Sequence, residues 1–247
     1  MSLSESELDR YDRQMRIHGW GAEGQRKLKA SKVVVAGIGG LGCLSSLYLA
    51  AAGVGTLILL DKESVSPSDL NRQVLFCQSD LGASKAEIAK SRLENLNPEI
   101  KVTAAVKEVV GRNIANVMKG IDLVVDGLDN WRTRFIVNEL CVRKGIPFVH
   151  GGVSEFCGQV MTVVPQKGPC LRCIFPAEPP EVDVVPILGA TPAVIASLQV
   201  MEAVKLVTGI GKPLVGRMLF LDGEEMTLET VEMERNPDCP VCSHVGD

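Results

Sequence analysis

The sequence predicts an α/β fold, a doubly wound, mostly parallel sheet with an antiparallel extension at its C-terminal end. Three observations predict it. Lys32 to Ala36 (KVVVA) is a short, unbroken apolar run rich in β-branched residues, followed by a glycine turn and a helical segment; a strand buried on both faces reads this way. Strand-like and helix-like segments then alternate with short connections, as parallel crossover units require. Past residue 150 the alternation gives way to strand-like segments, the last two joined near Asp222-Gly223, a hairpin signal.

In chain order, residues 4–29 read as helical, with Leu8, Tyr11, Met15 and Leu28 on an apolar stripe that Gly19, Gly21 and Gly24 interrupt. After the first strand, a helix over Leu41–Ala52 ends at Gly53 and Gly55, good helix stops. Thr56–Leu60 is the second strand, and Lys85–Leu96 is a helix that stops before Asn97-Pro98. Lys101–Val106, Leu123–Asp126 and Pro147–His150 are further strands, with a helix over Thr133–Lys144 capped by Gly145. Gln159–Val164 is a strand, Phe175–Pro192 a Pro-rich crossover loop, and Ala193–Val207 a helix. Arg217–Leu221 and Thr227–Glu234 form the closing hairpin.

With 247 residues, 46% apolar and 23% charged, the chain suits one large α/β domain with a substantial core. No internal repeat or linker divides it. A net charge of −4 argues against nucleic acid or an anionic membrane as the main partner. The polar N-terminus lacks the pattern of a signal peptide. Leu44–Ala52 and Val194–Val207 read as too short or too interrupted to span a bilayer. Four of the eight cysteines fall in C-x-x-C pairs, which favours metal ligation in a reducing, cytoplasmic compartment.

Gly37-Ile38-Gly39-Gly40-Leu41-Gly42 fits G-x-G-x-x-G between a strand and a helix, the context that makes the motif a Rossmann-like nucleotide turn. Glycine lets the backbone approach a phosphate, and the helix N-terminus supplies free N–H groups. Asp61, closing the second strand, is placed to accept bonds from ribose hydroxyls. Alone this says nucleotide, with NAD the first guess. Packing of the turn is the bland alternative.

Downstream residues point to ATP. Ser68, Asn71 and Arg72 follow the second strand, Lys85 opens the next helix, Asp129 and Asn130 follow the Leu123–Asp126 strand, and Arg13 precedes them all. A triphosphate needs its charge countered, and a carboxylate can hold the Mg²⁺ that bridges its oxygens. Each has a bland reading as well: Lys85 as a solvated helix start, Arg72 as a surface ion-pair partner, and Asp129-Asn130 as a helix cap. An NAD-dependent oxidoreductase would leave Arg13, Arg72 and Asp129 without a task.

Taken with Arg10-Tyr11-Asp12-Arg13-Gln14, the Ser68–Gln73 run, Gly82–Lys85, Asp126–Asn130 and the paired C-x-x-C, the chain resembles the HesA/MoeB/ThiF family, relatives of the ubiquitin-activating enzymes. The resemblance runs from Leu8 to Cys242 and is nearest to the MoeB branch, through Asn236-Pro237-Asp238-Cys239-Pro240-Val241-Cys242. It implies an adenylyltransferase that activates the C-terminal glycine carboxylate of a ubiquitin-like sulfur-carrier protein for molybdopterin, thiamine or tRNA-thiolation chemistry; the same ATP site acting on a small-molecule or tRNA-bound carboxylate is the alternative. Gly37, Gly39, Gly40 and Gly42 would face ATP, with Asp61 on the ribose, Arg72 and Lys85 on the triphosphate and Asp129 on Mg²⁺. Arg13 would reach the phosphates of a neighbouring subunit, so a homodimer is implied, and Asn130 would neighbour the adenine or order the backbone. Residues 1–30 would be a helical arm, 31–150 a nucleotide-binding half and 151–247 a carrier-binding half. Asp69 departs from the family, where asparagine is usual, and adds a negative charge near the phosphates.

The nucleophile would be a carboxylate, ionised at neutral pH with a pKa of roughly 3.5. No general base is needed, which fits the absence of a His-centred motif; His18, His150 and His244 read as structural or solvated. Cys170, Cys173, Cys239 and Cys242 supply four thiolates for a closed, structural zinc site; a redox dithiol is the alternative. Some relatives carry a further cysteine in the crossover loop. Val182 or Asp183 stands near that place here, so adenylation without an obligatory enzyme thioester, and a separate sulfur donor, are expected. Cys43 and Cys141 read as core residues, Cys77 and Cys157 as loop residues.

Overall fold

A computed structural model describes residues 2–108, 111–180 and 184–243. The arm is three short helices rather than one: α1 (Glu5–Arg10), α2 (Asp12–Met15) and α3 (Gly21–Ala30). Tyr11, with φ of −100° and ψ of 9°, separates α1 from α2; Gly19 and Gly21 break the chain between α2 and α3, with φ of 81° and 56°, a left-handed backbone that glycine adopts without steric penalty. Gly24 lies inside α3, where a Cβ would come to 3.0 Å from the Trp20 ring. Leu8 is exposed, while Tyr11 and Leu28 are buried.

The parallel part follows: β1 (Lys32–Ala36), α4 (Gly40–Ala52), β2 (Thr56–Leu60), α5 (Lys85–Leu96), β3 (Lys101–Ala105), α6 (Gly111–Val117), β4 (Leu123–Asp126) and α7 (Trp131–Lys144). The seven-residue α6 carries too little apolar periodicity to stand out in the sequence. Then come β5 (Phe148–Ser154), β6 (Cys157–Val163), α8 (Leu171–Ile174), α9 (Ala190–Thr208), β7 (Arg217–Asp222) and β8 (Thr227–Glu232). One sheet of eight strands runs through the described residues in the order β3-β2-β1-β4-β5-β6-β7-β8. Its first five strands are parallel and its last three antiparallel.

Two boundaries differ from expectation. β5 does not stop at His150, because Gly151 and Gly152 continue the ladder opposite Val160 and Gln159. At Gly151 a Cβ would strike the Gln199 amide at 2.5 Å, so the glycine admits the packing of α9. α9 itself starts at Ala190 and takes Pro192 into its first turn, where a missing N–H leaves no bond unmade. With 19 residues and a hydropathy of 1.3 it is long and apolar enough to cross a membrane, contrary to the reading of Val194–Val207 as too short. In this fold it packs on α4, β5 and β6, with Ile195, Ala196, Val200 and Ala203 buried.

The sheet separates two cores. Val33 and Val35 of β1 face one, with α4 and α9; Val34 and Ala36 face the other, with α6 and α7. Burial on both sides explains the continuous valine run, and each buried valine contributes about 1.5–3 kcal/mol. Strand order reverses at β1, between β2 and β4. A crevice opens at the carboxyl ends of strands at such a point.

Candidate active site

A cleft of about 1400 Å³ lies at that crevice. Its floor is the turn after β1. Gly37 has φ of 89°, and a Cβ there would sit 2.5 Å from the Gly127 carbonyl. A Cβ on Gly127 would in turn meet the Gly37 carbonyl at 2.3 Å. The two turns cross backbone to backbone, and both positions demand glycine. Gly39 is the N-cap of α4 and lines the cleft with Gly37 and Gly40, so the N-terminal N–H groups of α4 open onto it. Gly42 does not line it. A Cβ there would lie 1.8 Å from the Gly37 carbonyl, so this glycine packs α4 against the turn.

Asp61 follows β2 and stands at one side. It accepts the N–H groups of Ile38 and Glu63, each at 2.7 Å, and burial raises its pKa above the usual value despite these bonds. Its oxygens keep lone pairs for further donors.

Lys85 and Arg72 line the same cleft. The Lys85 ammonium contacts Glu63 Oε2 at 2.7 Å and Asp69 Oδ2 at 3.3 Å. Burial pulls its pKa down, but the Glu63 and Asp69 carboxylates outweigh that and raise it. Arg72 Nη1 donates to the Ser68 carbonyl at 2.7 Å and to Asn71 Oδ1 at 3.1 Å. Ser68 and Asn71 are exposed and off the cleft wall; they aim Arg72 rather than line the site.

Asp69 is not a stray charge beside the phosphates. It is buried, accepts from the Ser66 N–H and hydroxyl at 2.9 Å each and from the Gln73 amide at 2.7 Å. Burial pushes its pKa up, yet the Ser66 bonds and Lys85 prevail and hold it below the carboxylate range. It fixes the 66–73 segment and steadies Lys85.

Asp129 is exposed on the cleft wall. Asn130 donates to it at 3.1 Å and accepts the Thr133 N–H at 2.9 Å, so Asn130 caps α7 and thereby places Asp129. Arg13 is brought nowhere near its own chain's cleft. The arm is tied to the amino ends of the strands, where the Asn97 amide donates to the Tyr11 hydroxyl at 2.8 Å and Gln14 to the Ala52 carbonyl at 2.8 Å.

Beneath the cleft is a polar cluster that sequence reading missed. Asp126, wholly buried, contacts Arg134 Nε at 2.7 Å and His150 Nδ1 at 2.8 Å. Gln159 Nε2 donates to His150 Nε2 at 3.0 Å, which fixes the neutral, Nδ1-protonated imidazole. Arg134 also donates to the Leu128 carbonyl at 2.6 Å and lies 4.8 Å from the Trp131 ring centre. His150 is structural, as expected; His18 is exposed, and His244 lies outside the described residues. Leu128, Trp131 and Arg134 form cleft wall. No spacing in the sequence announces this cluster, because β4, β5 and α7 meet only in the folded sheet.

The crossover segment closes one flank. Glu155, with φ of 53°, gives its N–H to the Pro186 carbonyl at 2.6 Å, and its own carbonyl accepts the Thr191 hydroxyl at 2.8 Å. Val182 and Asp183 lie outside the described residues. Cys157 opens β6 rather than sitting in a loop, and lines the cleft; Cys77 is exposed in a loop. Cys43 and Cys141 are core residues, and burial pushes the Cys43 thiol up to about 12.

Cys170, Cys173, Cys239 and Cys242 converge as the spacing foretold. Sγ–Sγ distances are 4.0, 3.7 and 3.4 Å around the group, and all four sulfurs lie within 4.8 Å of one another. A tetrahedral ion with bonds of about 2.3 Å separates its sulfurs by about 3.8 Å, so the cluster fits such an ion closely. Burial raises the Cys170 and Cys173 thiols, a penalty that a divalent cation offsets.

A glycine turn at a strand-order reversal, an acid after β2 and two braced cations define an α/β nucleotide-binding protein. The chain belongs to the ThiF family, which matches residues 11–241. It is 45% identical to the SAMP-activating enzyme E1 of Haloferax volcanii, over 100% of this chain and 93% of that one. It is 43% identical to the sulfur carrier protein adenylyltransferase of Thermus thermophilus, over 98% and 93%. The crystal structure of E. coli MccB with ATP superposes with a TM-score of 0.83 at 28% identity, covering 97% of this chain and 75% of that one.

Proposed function

We propose that this protein, acting as one adenylating domain, uses ATP to adenylate the C-terminal glycine carboxylate of a ubiquitin-like sulfur-carrier protein, releasing pyrophosphate. The observation that carries this reading is one cleft lined by a glycine turn, Asp61, Lys85, Arg72 and Asp129. The names of the Haloferax and Thermus relatives supply the substrate class, and the likeness to ATP-bound MccB supports the nucleotide.

In the proposed reaction a carboxylate oxygen attacks the α-phosphorus, the α–β phosphoanhydride bond breaks, and its electrons leave with pyrophosphate. The nucleophile arrives ionised, so the cleft needs position and charge, not a base. Arg72 and Lys85 counter the triphosphate and the departing pyrophosphate, while the N-terminus of α4 and Asp61 hold phosphate and ribose. Asp129, an exposed carboxylate on the wall, suits Mg²⁺, which when bound would neutralise phosphate charge. Arg13 would come from a second copy in a homodimer. A separate donor supplies sulfur to the activated tail. The four cysteines would hold a structural zinc that fastens the segment after β8 to α8.

ATP–pyrophosphate exchange, with and without a Gly-Gly-tailed carrier, tests the reading. Exchange should depend on the carrier and vanish when its last glycine is removed. Exchange driven equally by small carboxylates, or binding of NAD in place of ATP, would defeat it.

A further inference from the structure

Lys85 is nearly buried, at 3% exposure, yet its ammonium stands at the cleft between two carboxylates of different character. Asp69 is buried and held by three donors besides Lys85. Glu63 has a half-exposed side chain and, among the described residues, one hydrogen-bond partner for its carboxylate, Lys85 at 2.7 Å. Its backbone is nonetheless locked. The Glu63 N–H donates to Asp61 Oδ1 at 2.7 Å, and its carbonyl accepts the Lys85 N–H at 3.0 Å. Glu63 therefore joins the ribose-side acid to the phosphate-side lysine, with a fixed main chain and a side chain free to swing.

We propose that Glu63 is a positioning residue that occupies the Lys85 ammonium in the free protein and reclaims it as pyrophosphate departs, an inference that rests on the adenylation reading above. Lysine offers three donors. Asp69 keeps one whether or not nucleotide is bound, because its other bonds anchor it. A phosphate oxygen that takes the third donor draws the ammonium away from Glu63, whose carboxylate, now beside another anion, turns toward solvent. Glu63 thus keeps Lys85 in place, prevents a tight grip on the leaving anion, and hastens product exit.

The test compares binding of inorganic pyrophosphate and of ATP, each with Mg²⁺, to the wild-type chain and to Glu63→Gln. Glutamine keeps the shape and loses the charge. Pyrophosphate affinity should rise about three- to tenfold in Glu63→Gln, the loss of one charge-assisted competitor, and the KM for ATP should fall with it. Glu63→Asp, which keeps the charge, should stay nearer the wild type. If the wild type binds both ligands and Glu63→Gln binds pyrophosphate no tighter, this proposal fails alone. If the wild type binds neither, the adenylation reading fails and takes this one with it.

Discussion

Asp129, exposed, and Arg72, half-buried, show how a residue outside the core can still be placed. Asp129 is set by the cap that Asn130 makes on α7, and Arg72 by Ser68 and Asn71. Neither supports the core, so Asp129→Ala and Arg72→Ala should each lower carrier-dependent pyrophosphate exchange by about 100-fold or more with an unchanged circular dichroism spectrum. Arg134 is the opposite case. Its removal strands the Asp126 carboxylate in the interior, and Arg134→Ala should destabilise the fold by about 3–5 kcal/mol, measured by urea unfolding. The glycine turn, Asp61 and Lys85 were legible because their chemistry is tied to short spacings. Asp126, His150 and Arg134 were not, since strand order alone brings them together. The charge of Asp69 was legible, but its bonds to Ser66 and Gln73 and its pairing with Lys85 were not, since only the folded 66–73 segment assembles them.

At the scale of elements, helix–strand contact decides what glycine must do. Adding one methyl at Gly42 would drive Cβ to 1.8 Å from the Gly37 carbonyl, which α4 can relieve only by lifting off the turn. Gly42→Ala should therefore lower stability by at least about 1–3 kcal/mol and weaken nucleotide binding in parallel, both readable by thermal unfolding with and without ATP. The parallel strands were readable from their apolar runs. The continuation of β5 was hidden by Gly151-Gly152, residues that look like a turn; here Gly151 makes room for Gln199 of α9 and Gly152 lies against Gln159.

For the whole molecule, three buried groups set how stability depends on pH. Burial, against the pull of Asp126, lowers the His150 pKa below its usual value. Unfolded chains take up a proton at His150 as pH falls through about 6.5, and the native state does not, so stability should decline below about pH 6.5. Asp69 and Asp126 are held below the carboxylate range, the bonds to each outweighing its burial; their contribution, full above about pH 4, is lost beneath it. Urea midpoints against pH should show both phases, and His150→Asn should flatten the first. If Cys170, Cys173, Cys239 and Cys242 hold zinc as proposed, chelation at neutral pH should lower the midpoint as well, in step with release of about one ion per chain.

The helical arm sits at the amino ends of the strands, a full sheet length from the cleft of the same chain. A guanidinium mounted there can assist catalysis only across a boundary between molecules, so the unit of activity would be the pair. Arg13→Ala and Asp129→Ala, each inert by itself, should revive exchange when mixed and allowed to re-pair, since a hybrid owns one whole site assembled from two defective partners. Dilution should then silence even the unmutated enzyme.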